Sequence, residues 1–284
     1  MKYHVVHSTE YEYTTPAALS LNEVCLQARE TPFQTVAAHS FETLPRSDYH
    51  RDRVDFFGNL WRLYAFEKPH RKLRIVSTHE IEVFRLDSRG DDVLVGFEPF
   101  LQASPFVRPS RVFADYGRPS FSPGGSRLDG LIDLTQRLFH DFVYDPEATE
   151  IGTPIEEFFA KRRGVCQDFS HLMLAVLRSL GIPARYVSGY LNTLPPPGKE
   201  KVLGADASHA WVAAWLPGLG WVDLDPTNGL VVGNDHLTVA WGRDYGDVTP
   251  LKGVVLGGGT QKLTVEVTVR LQSPTITSPT RNIL

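Results

Sequence analysis

Alternating apolar and polar positions dominate the first third of the chain. Tyr3, Val5, His7 and Thr9 fall on one face, as do Leu73, Ile75, Ser77 and His79 further on, with Val76, Ile81, Val83 and Phe84 adding β-branched or aromatic bulk. A period of two marks a half-buried strand. Shorter runs at 24–28, 39–44, 54–57 and 60–66 read the same way, separated by the turn residues Pro45, Gly58-Asn59 and Pro69. Residues 1–118 are therefore expected to form a β-rich N-terminal domain, an antiparallel sandwich-like region or meander. Tyr13, Phe56, Phe57, Trp61 and Tyr64 are expected in its core. Pro109, Pro119 and Pro123 mark 105–125 as a linker.

Beyond the linker the period becomes helical. Leu128, Leu131, Ile132, Leu134, Leu138 and Phe139 form one apolar stripe. Thr153-Pro154-Ile155-Glu156 predicts a second helix start, with Thr153 capping, Pro154 in the first turn and Glu156 completing a capping box. A third helix is expected over 166–180, with Met173, Leu174, Val176, Leu177 and Leu180 inward, Gly181 as its stop and Pro183 barring continuation. Strands follow at 184–191, 209–216, 221–224 and 262–271, around a polar loop at 195–200. The last strand puts Leu263, Val265, Val267, Val269 and Leu271 on one face. The fold class is α+β, with 119–272 as a second domain and the Ser/Thr/Pro-rich residues 273–284 as a loose tail. Gly257-Gly258-Gly259 is followed by no Lys-Ser/Thr pair and reads as a turn, not a phosphate loop.

Composition narrows the function. With 284 residues, 42% hydrophobic and 22% charged, the chain can bury a full core without disulfides or metals. The net charge is −4 and the 29 basic residues are scattered, which argues against a nucleic-acid partner. The stretch Met1 to Tyr13 lacks the apolar run of a signal peptide, and no later stretch is long enough to span a bilayer. A cytoplasmic protein without a membrane partner is the expectation. Its two cysteines, Cys25 and Cys166, would there be free thiols. Neither CxxC nor HExxH occurs, so no metal and no cofactor is expected.

The candidate chemistry lies in the second region. Cys166 opens a predicted helix, in Gly164-Val-Cys166-Gln167-Asp168-Phe-Ser170. Peptide dipoles at a helix start favour the thiolate, the reactive form, and Arg162 and Arg163 could reinforce that bias. The unused N–H of Cys166 could donate to an oxyanion. Asp168 reads as a dipole-compensating acid. Cys25, in an apolar run, reads as an inert core thiol. His209, in Ser208-His209-Ala-Trp211, and Asp225, in Gly220-Trp221-Val-Asp223-Leu-Asp225-Pro226, follow on strand-like segments. Together they supply a nucleophile, a base and an orienting carboxylate. Register tempers this. A four-residue loop at 217–220 would pair Leu216 with Trp221 and leave His209 about 10 Å from Asp225. A hydrogen bond then needs a bulge or a longer turn, and Asp223 and Asp206 are the alternative carboxylates.

These three segments, with Leu180-Gly-Ile-Pro-Ala-Arg185-Tyr-Val-Ser-Gly189-Tyr190, resemble in order the nucleophile, histidine and aspartate motifs of the transglutaminase-like superfamily, a papain-like branch of cysteine enzymes. The match covers about 125–250. Residues 1–90 resemble the β-rich N-terminal region of bacterial members. The resemblance implies helices packed on an antiparallel sheet, a Cys166–His209–Asp225 triad, and a thioester acyl-enzyme formed on a protein or peptide substrate. Hydrolysis of an amide or peptide bond is the first expectation. Transfer to an amine acceptor, or a non-catalytic binding role on the same fold, are the alternatives.

Overall fold

The computed structural model describes residues 1–84, 96–193 and 208–272. The polar loop at 195–200, Asp206 and the tail 273–284 lie outside the described residues.

The first region is one antiparallel sheet built on an unusually long strand, β1 (Lys2–Val24). With β2 (Gln34–Leu44), β3 (Tyr49–Val54), β4 (Leu60–Phe66) and β5 (His70–Val83) it gives the order β2-β5-β1-β4-β3. The first half of β1 pairs with β5 and the second half with β4. The register against β5 slips between Glu12 and Ala17, where Pro16 has no N–H to give to a ladder. The sheet thereby closes over its own apolar cluster of Tyr13, Val24, Tyr64, Phe66, Leu73 and Ile75. The sandwich-like core is thus enclosed by one sheet instead of two. Tyr13, Phe57, Trp61 and Tyr64 are buried as expected, but Phe56 is exposed, on the turn after β3.

The second region contains α1 (Arg111–Gly117), α2 (Arg127–Asp141), β6 (Val143–Tyr144), α3 (Ile155–Lys161), β7 (Arg163–Gly164) and α4 (Cys166–Ser179). There follow β8 (Ala184–Leu191), β9 (Ser208–Leu216), β10 (Gly220–Asp225), β11 (Leu230–Val231) and β12 (His236–Gly242). The strands from β8 to β12 form a second antiparallel sheet, ordered β11-β10-β9-β8-β12, and α4 packs on β8 and β9. The expected linker holds α1, whose N-cap Ser110 accepts from the Phe113 N–H. No capping box forms at α3. Pro154 takes the N-cap position, and the Thr153 hydroxyl accepts from the Glu150 N–H instead.

The chain then returns to the first sheet. β13 (Leu251–Gly257) and β14 (Gln261–Leu271) both pair with β1, from beyond the expected boundary near residue 118. Period-two alternation identifies a strand at 262–271 but carries no information about its partner. Tyr3, Val5, Val267 and Val269 of the first sheet share one apolar core with Leu172, Leu174 and Leu237 of the second region.

Two side-chain amides seal the junction between the regions. β12 ends the second sheet, yet its outer backbone groups are paired. Thr238 donates to Gln34 Oε1 and accepts from Gln34 Nε2, both at 2.8 Å. Trp241 donates to Asn59 Oδ1 at 3.0 Å and accepts from Asn59 Nδ2 at 2.8 Å. Gln34 and Asn59 therefore act as a substitute strand along an edge that would otherwise be open. The Trp241 ring also contacts the guanidiniums of Arg29 and Arg185, at 3.6 and 3.8 Å from the ring centre. Among the described residues no helix is long and apolar enough to cross a membrane.

Candidate active site

Cys166 is the first residue of α4, half-buried at the helix start. Gly164 lets the chain enter this turn tightly. A Cβ there would meet Asp168 Oδ2 at 2.4 Å and the Phe158 ring at 2.7 Å. Asp168 Oδ2 accepts from the Val165 N–H at 2.8 Å and the Thr149 hydroxyl at 2.6 Å. It is therefore a structural cap on the helix start. Burial raises its carboxyl above the ordinary value, and these two hydrogen bonds oppose the rise. Gln167 donates to the Ile151 carbonyl, tying the helix start to the preceding loop. Arg162 and Arg163 are engaged elsewhere. Arg162 lies over the Phe142 and Phe159 rings, and Arg163 pairs with Asp145.

His209 and Asp225 come from the β9–β10 hairpin. Leu216 pairs with Gly220, leaving a three-residue loop at 217–219, with Gly218 and Gly220 at positive φ. Neither the bulge nor the longer turn is needed. Leu224 pairs with Val212, so Asp225 continues opposite Trp211, two residues from His209 on the same face. Diagonal neighbours of this kind lie within reach of long side chains. His209 Nε2 lies 2.7 Å from Asp225 Oδ2. Asp223 pairs with Ala213 in mid-hairpin and does not take that place.

The carboxylate is buried and fully engaged. Oδ1 accepts from the N–H groups of Thr227 and Asn228. Oδ2 meets His209 Nε2, Asn228 Nδ2 at 2.7 Å and His236 Nε2 at 3.0 Å. Burial alone would raise the Asp225 carboxyl. The hydrogen bonds from His209, His236 and Asn228 outweigh it and hold the group far below the usual carboxylate range. Burial would lower His209, but its hydrogen bonds to Asp225 and Cys166, and their charges, raise it to about 10. Since Nε2 faces Asp225, Nδ1 is the ring nitrogen left for the Cys166 sulfur. Burial raises the phenols of Tyr144 and Tyr186, with the charge of Cys166 the next cause in each. Both rings therefore lie near the thiol.

Sequence patterns do not single out His236 or Asn228 as site residues. Asn228 ends the aspartate motif, which runs from Gly220-Trp221 through Asp225-Pro226-Thr227-Asn228, but no role is read for it there. His236 is a histidine at the mouth of an apolar strand, a pattern that usually means packing. Nε2 of His209, Oδ2 of Asp225 and Nε2 of His236 lie within 4.8 Å of one another. They are spent on mutual hydrogen bonds, so the group reads as a hydrogen-bonded cluster and not a metal cage. The other thiol, Cys25, is buried, which pushes it up to about 12.

Comparison with known proteins agrees with this architecture. The transglutaminase-like superfamily matches residues 118–226, and the bacterial transglutaminase-like N-terminal region matches 3–82. An uncharacterised protein of Mycobacterium tuberculosis is 35% identical over 278 residues, covering 89% of this chain and 87% of its own. A protein-glutamine gamma-glutamyltransferase of Pseudomonas aeruginosa is 40% identical over 98 residues, 33% of this chain and 15% of that protein. The crystal structure of a candidate cysteine protease from Cytophaga hutchinsonii superposes with a TM-score of 0.76 at 22% identity, covering 95% of this chain and 90% of that one.

Proposed function

Because the chain belongs to the transglutaminase-like superfamily, we propose that it is a cysteine-dependent hydrolase of amide or peptide bonds, with Cys166, His209 and Asp225 as its catalytic triad. The observation that carries this reading is the 2.7 Å contact between His209 and buried Asp225, with His209 raised by both Asp225 and Cys166. A histidine held protonated beside a cysteine favours a thiolate–imidazolium pair. The thiolate attacks the substrate carbonyl carbon, and the C–N bond breaks as the imidazolium gives its proton to the departing amine. A thioester on Cys166 remains. Neutral His209 then takes a proton from water, the resulting oxygen attacks the thioester, and the C–S bond breaks to restore the pair. The Cys166 amide, in the first helical turn, is placed to donate to the oxyanion. The substrate is a protein or peptide. A cytoplasmic location fits the two free thiols, Cys25 and Cys166.

Amine transfer is the second reading, favoured by the likeness to the Pseudomonas gamma-glutamyltransferase. It differs only in the acceptor that attacks the thioester. Incubating a glutamine-containing peptide library with the protein, with and without a primary amine, separates the two by mass. Gains of about one dalton, or cleavage, mark hydrolysis, and gain of the amine with loss of ammonia marks transfer. No product of either kind from the wild-type protein would favour a binding protein.

A further inference from the structure

We infer that His236 is a positioning residue for Asp225, holding the same carboxylate oxygen that His209 contacts; this deepens the triad reading and rests on it. Three observations carry the assignment. His236 Nε2 and His209 Nε2 converge on the same oxygen, Asp225 Oδ2, at 3.0 and 2.7 Å. His236 is buried, and its Nδ1 has no hydrogen-bond partner. The contact with Asp225 therefore needs a ring proton on Nε2, because a carboxylate oxygen can only accept. The ring is also clamped by packing, edge-on to Trp211 with centroids 5.2 Å apart. It stands at the first position of β12, a strand whose outer edge is held by Gln34 and Asn59. A rigid donor therefore grips the carboxylate from a different strand than the one carrying His209.

That arrangement has a mechanical use. In the proposed reaction His209 loses and regains a proton, so its bond to Asp225 weakens and strengthens in each cycle. A carboxylate held by His209 alone could turn when that bond weakens. Here Asn228 and His236 hold Oδ2 while the two backbone amides hold Oδ1. The imidazole of His209 returns to a fixed acceptor, with Nδ1 aimed at Cys166. Among the described residues, the groups facing His209 include Cys166 from α4, Asp225 and Asn228 from β10 and its following turn, and Trp211 and His236 from β9 and β12.

The test compares His236→Leu and His236→Phe, which keep apolar bulk and lose the donor, with His236→Gln, which keeps an N–H donor. Two bulky replacements guard against one of them failing to fold. The first readout is the titration midpoint of the His209 ring, followed by NMR in a Cys166→Ser background. Without that donor Oδ2 keeps only Asn228 whenever the His209 bond weakens, so the carboxylate is less firmly fixed, and the midpoint falls by about one pH unit or more and recovers in His236→Gln. The second readout is Cys166 alkylation by iodoacetamide, expected to slow roughly tenfold or more and to recover likewise. An unchanged or higher His209 midpoint in a folded His236→Leu or His236→Phe protein overturns the inference. If wild-type Cys166 alkylates no faster than an ordinary thiol but the midpoint still falls, the nucleophile reading fails while the positioning role stands.

Discussion

His209 lies diagonally across the β9–β10 hairpin from Asp225, two residues from the position directly opposite, and the two side chains still meet at 2.7 Å. The contact depends on a three-residue loop with Gly218 and Gly220 at positive φ, which only glycine adopts readily. One residue more in the loop would move Asp225 opposite Val212 and turn its side chain to the other face.

The Asp225 charge should govern both reactivity and alkaline stability. The folded-state value of His209 is raised above its ordinary 6.5 to about 10. A raised histidine contributes stability that is fully present below 6.5 and lost as pH rises through about 10. Urea unfolding between pH 6.5 and 10 should therefore show stability falling in the wild type. In Asp225→Asn that slope flattens, and Cys166 alkylation at pH 7 falls by about two orders of magnitude or more.

Acid should weaken the protein by a separate route. His7 and His79 in the first sheet are lowered to about 4 by burial, and His171 in α4 is lowered to about 3 by burial. The unfolded chain takes up protons near 6.5 while the folded one resists. Stability is then full above 6.5 and declines as pH falls towards 4 and below. Chemical denaturation across pH 7 to 4 should show a loss on the order of a few kcal/mol, because each pH unit between the folded and unfolded titrations of a group is worth about 1.4 kcal/mol. Replacing His7 by Gln, which keeps polar contact with Tyr190 and Thr9, should flatten the curve.

Gly189 carries the Trp211 indole directly over its backbone. A Cβ there would lie 2.5 Å from the Trp211 ring and 2.1 Å from the Leu237 carbonyl. Gly189→Ala should destabilise by about 3 kcal/mol or more in urea. It should also slow Cys166 alkylation, since Trp211 packs beside His209 and His236.

Gln34 and Asn59 should bind the two regions together. Gln34→Leu takes the acceptor from the buried Thr238 N–H and leaves the Thr238 carbonyl only the longer bond from the Arg29 N–H, at 3.3 Å. The expected loss is about 1–3 kcal/mol. Hydrogen exchange should localise it to new opening along β12. Unchanged β12 protection would contradict the role given to the amide.

Much of the candidate site is legible in the sequence because its signals are local. Cys166 at a helix start follows from the apolar stripe and the stop at Gly181, and the three motifs supply the order of the family. The rest depends on contacts that no local pattern encodes. The bond from the Thr149 hydroxyl to Asp168, the pairing of β13 and β14 with β1, and His236 on Asp225 all join residues more than ten positions apart in the chain. The capping box at Thr153 fails for a related reason, since the hydroxyl has a competing N–H at Glu150.

The central claim is that Cys166 is a nucleophile activated by His209. Its most direct test is the rate of iodoacetamide alkylation at pH 7, read by mass on native wild-type, His209→Ala and Cys25→Ala proteins. A single label is expected, on Cys166, added at least about tenfold faster than to an ordinary thiol. That advantage disappears in His209→Ala and survives in Cys25→Ala, because the buried Cys25 thiol is pushed up to about 12. Slow alkylation of Cys166 that is indifferent to His209 would contradict the claim.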